Sequence, residues 1–213
     1  ALAAASQHAQ HFLDARVEQI REAEKAIGQA PFILSPYDAE LFGHWWYEGP
    51  EFLDFFMRKA FFDQKTLRLT TPAEYLKDHH THQVAQPVPS SWGEEGYWKV
   101  WLNETNSWIY PHLNIAQQRM TELTRRNPDA TGLTERALNQ AGRELLLAQA
   151  SDWPFIMRTG TSPDYAKRRV KDHLLRFIAL HEQLTSTRVD ELWLQTIESI
   201  DNIFPDLNYR YWM

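Results

Sequence analysis

Segment 35–50 contains the densest group of side chains that could do chemistry in this sequence, with three carboxylates, one histidine and several aromatic rings. A carboxyl group enclosed by Trp and Tyr loses part of its hydration, which raises its pKa and suits it to donate a proton near neutral pH. Asp38 is the best-placed proton donor because it follows a short apolar run, and His44 is a candidate substrate contact beside it. In the alternative interpretation, Asp38 or Glu40 caps a following helix while the aromatic rings fill a core.

Tryptophan is the second unusual feature, because the chain has nine and four of them lie between Trp92 and Trp108. Tryptophan packs protein cores, but its ring also offers a large apolar face on which a sugar ring can stack. Trp92 lies between Ser91 and Gly93 in a segment that is poor in aliphatic side chains, where deep burial is hard to achieve. We therefore expect Trp92 to contact substrate, with Trp101 as a second candidate. Burial in a core is the alternative for both.

Three other polar groups have competing interpretations. Asp152, in the sequence Ser-Asp-Trp-Pro, is a candidate acceptor of hydrogen bonds from sugar hydroxyls, although capping or loop bonding would also occupy it. His79, His80 and His82 invite a metal interpretation, but structural zinc usually needs four ligands and the sequence shows no second cluster, so we expect no metal. The basic run 167–171 is typical of a solvated helix face rather than of a phosphate-binding site.

The composition limits the classes of partner and compartment. The formal net charge of -6 and the pI near 5.8 argue against a nucleic-acid binder, which needs a concentrated basic surface. The sequence has no cysteine and no apolar run of about 18 residues that could cross a membrane, so we expect a cytoplasmic protein that acts on a neutral substrate. Because the chain begins at Ala1 without an initiator methionine, we expect that it was cut from a longer polypeptide.

Helical periodicity accounts for most of the chain. Helices are predicted at 6–29, at 50–62, from the capping box at 71–74, and at 103–126, 133–150, 162–185 and 189–203. The apolar run 32–35, with proline on both sides, predicts a short buried strand that delivers Asp38 at its carboxyl end. We therefore expect a mainly α-helical bundle with a short strand-bearing amino-terminal segment. The proline-bearing loop near residue 87 is the candidate division between 1–86 and 87–213, with one compact unit as the alternative.

Two motifs carry a resemblance to a known family. Segment 35–50 closely resembles the fourth sequence motif of glycoside hydrolase family 57, in which the aspartate after Pro-Tyr, here Asp38, is the general acid/base. Segment 90–112 resembles the fifth motif of that family. With the later block 149–155, these segments are more similar to the 1,4-α-glucan branching enzymes of the family than to its amylases or 4-α-glucanotransferases. One departure is Glu95, which stands where a second glycine is expected.

The resemblance implies a retaining enzyme that acts on an α-glucan such as amylose, glycogen or a starch-like polymer. Segment 1–86 would be the end of a truncated (β/α) barrel, and 87–213 a helical domain that completes the cleft. Asp38 would be the general acid/base, and Trp92 and Trp101 would hold successive glucose rings. No organic cofactor and no metal are implied. The nucleophilic glutamate belongs to an earlier motif, which this sequence lacks, so we expect it on a missing amino-terminal barrel segment of the same polypeptide.

These inferences predict the carboxy-terminal part of a branching enzyme, which cleaves α-1,4 linkages and forms α-1,6 linkages. The chain by itself should be inactive, because it would carry the proton donor without the nucleophile. An amylase or a 4-α-glucanotransferase of the same family is the first alternative. The second is a helical module that binds glucan without chemistry. No nucleic-acid partner and no membrane contact are expected.

Overall fold

A computed structural model describes residues 1–82 and 84–213. In this part of the chain, eight α-helices are joined by loops and by short 3₁₀ turns. The helices are α1 (Leu2–Ile27), α2 (Gly49–Phe62), α3 (Pro72–Asp78), α4 (Ile109–Arg126), α5 (Gly132–Ala148), α6 (Asp152–Thr159), α7 (Pro163–Thr185) and α8 (Glu191–Ile200). The 3₁₀ turns are Ala39–Leu41, Glu94–Gly96, Trp98–Val100 and Tyr209–Trp212. The predicted mainly α-helical class is confirmed. The chain divides into two compact units, Ala1–Gln86 and Pro87–Met213.

The first unit is built on the packing of α1 against α2. Ala5 and Ala9 are buried in α1, and their small side chains let α2 approach closely. The ring of Phe12 meets the rings of Phe52 and Phe56 edge-on, with centroids 5.7 and 5.2 Å apart, which is a favourable arrangement for aromatic quadrupoles. This aromatic packing forms the small core of the first unit.

Two local predictions in the first unit have opposite outcomes. The capping box is confirmed, because Glu74 donates its backbone N–H to the Thr71 hydroxyl and its carboxylate accepts the Thr71 N–H, at 3.2 and 3.1 Å. The predicted strand at 32–35 is wrong. In the described residues that run is irregular, and the one β-bridge joins Phe42 to Trp46. A strand needs a neighbour that accepts its backbone hydrogen bonds, and local sequence does not supply one.

The core of the second unit lies between α5 and α7, with α4, α6 and α8 packed around them. Buried apolar residues recur every three or four positions, so that each helix presents one continuous apolar face. In α5 these are Ala137, Leu138, Ala141, Leu145 and Ala148, and in α7 they are Ala166, Val170, Leu174, Phe177, Leu180 and Leu184. No helix of the described residues is both long enough and apolar enough to span a membrane.

The carboxyl terminus is tied to this core by Tyr209, which is fully buried. The Tyr209 hydroxyl donates to the carbonyl of Asn127 at 2.6 Å and accepts the N–H of Ala130 at 3.1 Å. Gly142 in α5 allows a close approach, because a β-carbon there would lie 2.9 Å from the ring of Trp212. The last residues are therefore part of the second unit's packing.

The structure corrects two helix predictions in the second unit. Helix α4 begins at Ile109 rather than at 103, because the Asn103 and Asn106 side chains bond to nearby backbone groups and hold a non-helical turn. Helix α6 was not predicted. It has only eight residues, which is too few for helical periodicity to be recognised.

Candidate functional site

The loop that carries Trp92 is closed by hydrogen bonds at its base. The Ser91 N–H donates to the Gly96 carbonyl at 2.8 Å, and the Ser91 hydroxyl donates to the Tyr97 carbonyl at 2.7 Å. Trp92, the residue that follows Ser91, is 61% exposed. Trp92 is therefore a surface residue on a short, internally bonded loop.

The ring of Trp92 is in contact with two other aromatic residues. Trp101 and Phe155 each have a ring centroid 5.8 Å from that of Trp92, inclined by 51° and 55°. The Trp101 indole N–H also donates to the Trp92 carbonyl at 2.8 Å. We call the three residues Trp92, Trp101 and Phe155 the Trp92 face. Because Trp92 remains 61% exposed beside these two rings, part of its apolar ring surface is available for stacking.

Three residues of the Trp92 loop have a positive φ, and one of them is Gly96 with φ 77°. Gly93 has φ 124°, and a β-carbon there would lie 2.7 Å from the Val100 side chain. Glu95, at the position where the family motif suggested glycine, adopts the left-handed φ of 57°. Its carboxylate pairs with the Lys99 ammonium at 3.0 Å. The departure from the motif thus leaves the loop in a conformation that glycine favours, at a cost in backbone strain.

Helix α6 packs against the Trp92 loop through two of its side chains. Phe155 lies beneath Trp92, and Arg158 forms an ion pair with Glu94 at 2.6 Å. The buried Asn106 side chain donates to the Pro154 carbonyl at 3.2 Å and so fixes the start of the helix. Asp152, the first residue of α6, is exposed and makes its carboxylate available to solvent.

Asp38 belongs to the first unit, in a turn that backbone hydrogen bonds hold together. Its carbonyl accepts the Leu41 N–H at 3.2 Å at the start of the turn Ala39–Leu41. The neighbouring Tyr37 ring packs on Phe12 and Phe42, with centroids 6.5 and 6.1 Å apart. Asp38 is thus anchored through the residue before it.

The expected aromatic enclosure of Asp38 is wrong for this chain, because the Asp38 side chain is exposed. The adjacent aromatic rings pack on the small core of the first unit or project into solvent, as Trp45 does. His44 is exposed as well, and its ring meets Trp45 edge-on at 5.1 Å. Asp38 and His44 share one turn, but neither is desolvated by its neighbours in the first unit.

Two of the three histidines at 79–82 form hydrogen bonds to backbone carbonyls. The His79 ring lies on Tyr75 with centroids 4.0 Å apart and bonds to the Tyr75 carbonyl at 3.1 Å. His82 bonds to the His79 carbonyl at 2.6 Å. The rings of His79 and His82 are thus both engaged with the backbone of this segment.

Sequence reasoning missed a buried polar cluster in the second unit, formed by Glu144, His173 and Asp201. One ligand-type atom from each lies within 4.8 Å of the others, and all three residues are buried. His173 Nδ1 is 2.8 Å from Glu144 Oε2 and 3.7 Å from Asp201 Oδ2. The sequence did contain a signal for this cluster. Glu144 lies among the buried residues of α5, such as Leu145, and His173 lies among those of α7, such as Val170.

Burial sets the direction of three pKa shifts in the second unit. Loss of hydration raises the pKa of Glu144, although hydrogen bonds from His173 and Gln140 act in the opposite direction. Burial also raises the pKa of the Tyr110 hydroxyl, which donates to the Trp101 carbonyl behind the Trp92 face. Partial burial lowers the pKa of His181, and the nearby Arg119 charge adds to this effect.

Known proteins of similar sequence cover nearly all of this chain. The family described as "1,4-alpha-glucan branching enzyme, C-terminal" matches residues 112–212. A 1,4-alpha-glucan branching enzyme of Thermococcus kodakarensis is 35% identical over 204 residues, which cover 93% of this chain and 30% of that protein. The chain therefore spans about a third of the length of the curated relatives it matches.

Two solved structures share the fold. The crystal structure of the Thermococcus kodakaraensis branching enzyme, of the GH57 type and in complex with glucose, matches with a TM-score of 0.76 and 32% identity, covering 98% of this chain and 38% of that one. The crystal structure of an alpha-amylase from Thermotoga maritima matches with a TM-score of 0.69 and 42% identity, covering 99% and 39%. The fold thus occurs in proteins named for two different reactions on α-glucans.

Proposed function

Because the chain belongs to glycoside hydrolase family 57 and corresponds to the carboxy-terminal portion of its branching enzymes, we propose that it supplies part of a glucan-branching active site. In this proposal the substrate is an α-glucan, in which an α-1,4 linkage is cleaved and an α-1,6 linkage is formed. The Trp92 face holds a glucose ring of the glucan, and Asp38 exchanges a proton with the glycosidic oxygen and the acceptor hydroxyl. We assign the remaining parts of the site to an amino-terminal barrel segment of the same polypeptide.

The observation that carries the proposal is the geometry of the Trp92 face. A ring that is 61% exposed and fixed by Trp101 and Phe155 is preorganised, so little side-chain entropy is lost when a sugar stacks on it. A glucose ring presents apolar C–H faces and polar edges, and the exposed Asp152 carboxylate in α6 is suited to accept hydrogen bonds from hydroxyl groups at such an edge. That a related enzyme was solved with glucose supports a sugar as the ligand.

The chemistry proposed for Asp38 is general acid catalysis followed by general base catalysis. As the bond between the anomeric carbon and the glycosidic oxygen breaks, Asp38 gives its proton to that oxygen while a second carboxylate attacks the carbon. In the second step Asp38 takes the proton of an acceptor 6-hydroxyl, whose oxygen displaces the second carboxylate. Retaining reactions need the two carboxyl groups about 5–5.5 Å apart. We assign the second carboxylate to the amino-terminal segment, which would also enclose Asp38 and His44.

Hydrolysis is the second candidate, and the similarity to the Thermotoga maritima alpha-amylase favours it. Branching and hydrolysis share the cleavage step and differ in whether a sugar hydroxyl or water reaches the covalent intermediate. An aromatic surface that holds an acceptor chain favours transfer to sugar, because it keeps that chain near the intermediate and displaces water. The Trp92 face is the feature on which we base the choice of branching.

The decisive experiment measures new α-1,6 linkages. The chain, joined to an amino-terminal segment of the kind that its relatives carry, is incubated with amylose, and the product is analysed by linkage analysis. We expect α-1,6 linkages to accumulate, whereas reducing ends without new branches would identify an amylase, and new α-1,4 products without branches a 4-α-glucanotransferase. If the same protein binds glucan but releases no product, the non-catalytic module is correct.

The role of Asp38 is tested in the same protein. Asp38→Asn keeps the shape of the side chain but removes the exchangeable proton, so branching should fall by about a hundredfold or more. Glu40→Gln is the matched control, since Glu40 is an exposed carboxylate two residues away, and it should retain activity. Activity of Asp38→Asn within about tenfold of wild type, or 1.4 kcal/mol in the barrier, would exclude the proposed role.

A further inference from the structure

Helix α6 carries Phe155 of the Trp92 face, yet it is too short to be stable by itself. It has eight residues, whereas isolated helices of fewer than about 12 residues are marginal in water. Its position must therefore be fixed by tertiary contacts. The largest of these is Trp153, which is 8% exposed and donates its indole N–H to the Leu147 carbonyl of α5 at 2.7 Å.

Arg169 of α7 lies over the Trp153 ring, with its guanidinium carbon 5.3 Å from the ring centroid. The same guanidinium donates to the Tyr165 hydroxyl at 2.8 Å and contacts His173 Nε2 at 3.0 Å. A partly buried cation held on an aromatic face is favourable because the cation is attracted by the ring quadrupole. Arg169 therefore connects α6 to the buried polar cluster.

The contact with Arg169 defines the tautomer of His173. Arginine can only donate, so Nε2 of His173 must accept and the ring proton must lie on Nδ1. Nδ1–H then donates to Glu144 Oε2 at 2.8 Å, and the other Glu144 oxygen accepts from Gln140 at 2.9 Å. Both ring nitrogens of His173 are thus engaged, and this holds Arg169 in one orientation.

The same arrangement disfavours a metal ion in the buried polar cluster. An ion at Nδ1 of His173 would have to displace the proton that bonds to Glu144. Asp201 already accepts a hydrogen bond from the Arg176 guanidinium, and Arg169 lies on the other side of the histidine ring. Two guanidinium groups beside a divalent ion would repel it.

We propose that Arg169, oriented by the Nδ1–H tautomer of His173, is a positioning residue for the Trp92 face, acting through Trp153 and helix α6. The inference rests on the proposed function in so far as the Trp92 face binds glucan. It assigns to the buried polar cluster a role in sugar affinity rather than in chemistry or metal binding. The groups that carry it lie within the second unit.

The test compares two neighbouring arginines in the 213-residue chain, with maltoheptaose as the probe. Arg169→Gln should weaken binding about three- to tenfold, because the strength of the cation–π contact with Trp153 limits how much Arg169 can contribute by holding the Trp92 face in place. Arg168→Gln is the matched control, because Arg168 lies over the Tyr165 ring at 5.8 Å and no contact of its guanidinium with Trp153 or His173 is present in the described residues. Affinity is measured well below the melting temperature of each variant, and the indole NMR resonance of Trp92 is recorded without ligand.

Two variants of His173 separate positioning from simple stabilisation. The amide of His173→Gln can take the place of Nε2 and accept from Arg169, whereas the amide of His173→Asn can only take the place of Nδ1 and donate to Glu144. We expect the Gln variant to bind maltoheptaose more tightly than the Asn variant, although it leaves the buried Glu144 oxygen without a donor and should be the less stable of the two. Affinities that follow the order of the melting temperatures would overturn the proposal.

Further outcomes distinguish this inference from the proposed function. A Trp92 resonance that is unchanged by Arg169→Gln overturns the inference, whether or not the chain binds glucan. Wild-type chain that binds no maltoheptaose, or Trp92→Ala that binds as wild type does, contradicts the binding role of the Trp92 face instead. If Zn²⁺ raises the melting temperature and His173→Asn abolishes this effect, the cluster is a metal site and the tautomer assignment is wrong.

Discussion

Replacement of Trp92 by alanine should affect sugar binding far more than folding, because the ring is mostly exposed. A fully buried tryptophan costs about 3–5 kcal/mol when it is replaced by alanine. Since Trp92 is 61% exposed, only the remaining two-fifths of the ring contributes, which gives roughly 1–2 kcal/mol. Trp153 is the matched control, because it is 8% exposed and its replacement by alanine should lower the free energy of unfolding by nearly the amount expected for a fully buried tryptophan.

The loss of sugar affinity follows from the lost stacking surface. An aromatic contact is worth about 0.5–1.5 kcal/mol beyond the area that it buries, so Trp92→Ala should weaken binding of maltoheptaose by at least roughly two- to thirteenfold. In the protein that also has the amino-terminal segment, the ratio of branching to hydrolysis should fall, because water replaces a poorly held acceptor chain.

The assay is a paired one, with a thermal melt and a binding titration for each variant. Trp92→Ala should lower the melting temperature by a few degrees and weaken binding, whereas Trp153→Ala should lower the melting temperature several times more. A large fall in melting temperature for Trp92→Ala, together with unchanged affinity and an unchanged ratio of branching to hydrolysis, would refute the reasoning. Trp92 would then be a core residue.

Three further predictions concern stability. The pKa of His181 is lowered from 6.5 in the folded state, so the unfolded chain binds the proton more readily. The free energy of unfolding should therefore fall as the pH drops below 6.5. Urea titrations should show a smaller fall for His181→Gln than for wild type. The raised pKa of Glu144 has the opposite effect, since it favours the folded chain as the pH drops. If the free energy of unfolding falls equally in wild type and His181→Gln, His181 is not the cause of the fall. Glu95→Gly should raise the free energy of unfolding by up to about 1 kcal/mol, because glycine relieves the left-handed strain, whereas Glu95→Ala should give no gain in the same thermal melts. Gly142→Ala should destabilise by about 1–3 kcal/mol through its clash with Trp212, and a rise in melting temperature, as helix propensity alone would give, would show that the ring moves aside.

Local patterns were sufficient to predict the mainly α-helical class, most helices and the capping box at Thr71. Each of these depends on residues within a few positions of one another, such as the apolar spacing of Leu138, Ala141 and Leu145. The family could also be recognised, because its motifs at 35–50 and 90–112 are contiguous. The exposure of Trp92 was predicted from its polar neighbours in the loop.

Two of the predictions that failed needed partners distant in the chain. The run 32–35 had the composition of a strand but no neighbouring strand, and Asp38 had aromatic neighbours in sequence that do not enclose it in space.

The candidate site is likewise assembled across long separations. Sequence alone identified Trp92 and Trp101 as aromatic candidates, but Phe155 comes beneath Trp92 only because α6 packs on the loop. Glu144 and His173 lie 29 positions apart and meet because α5 and α7 share a face. Sequence determines which side chains are present and which helices they form, through short-range hydrogen bonding and periodicity. Tertiary packing decides which of those side chains meet and which remain exposed, because burial and pairing depend on surfaces contributed by separate helices.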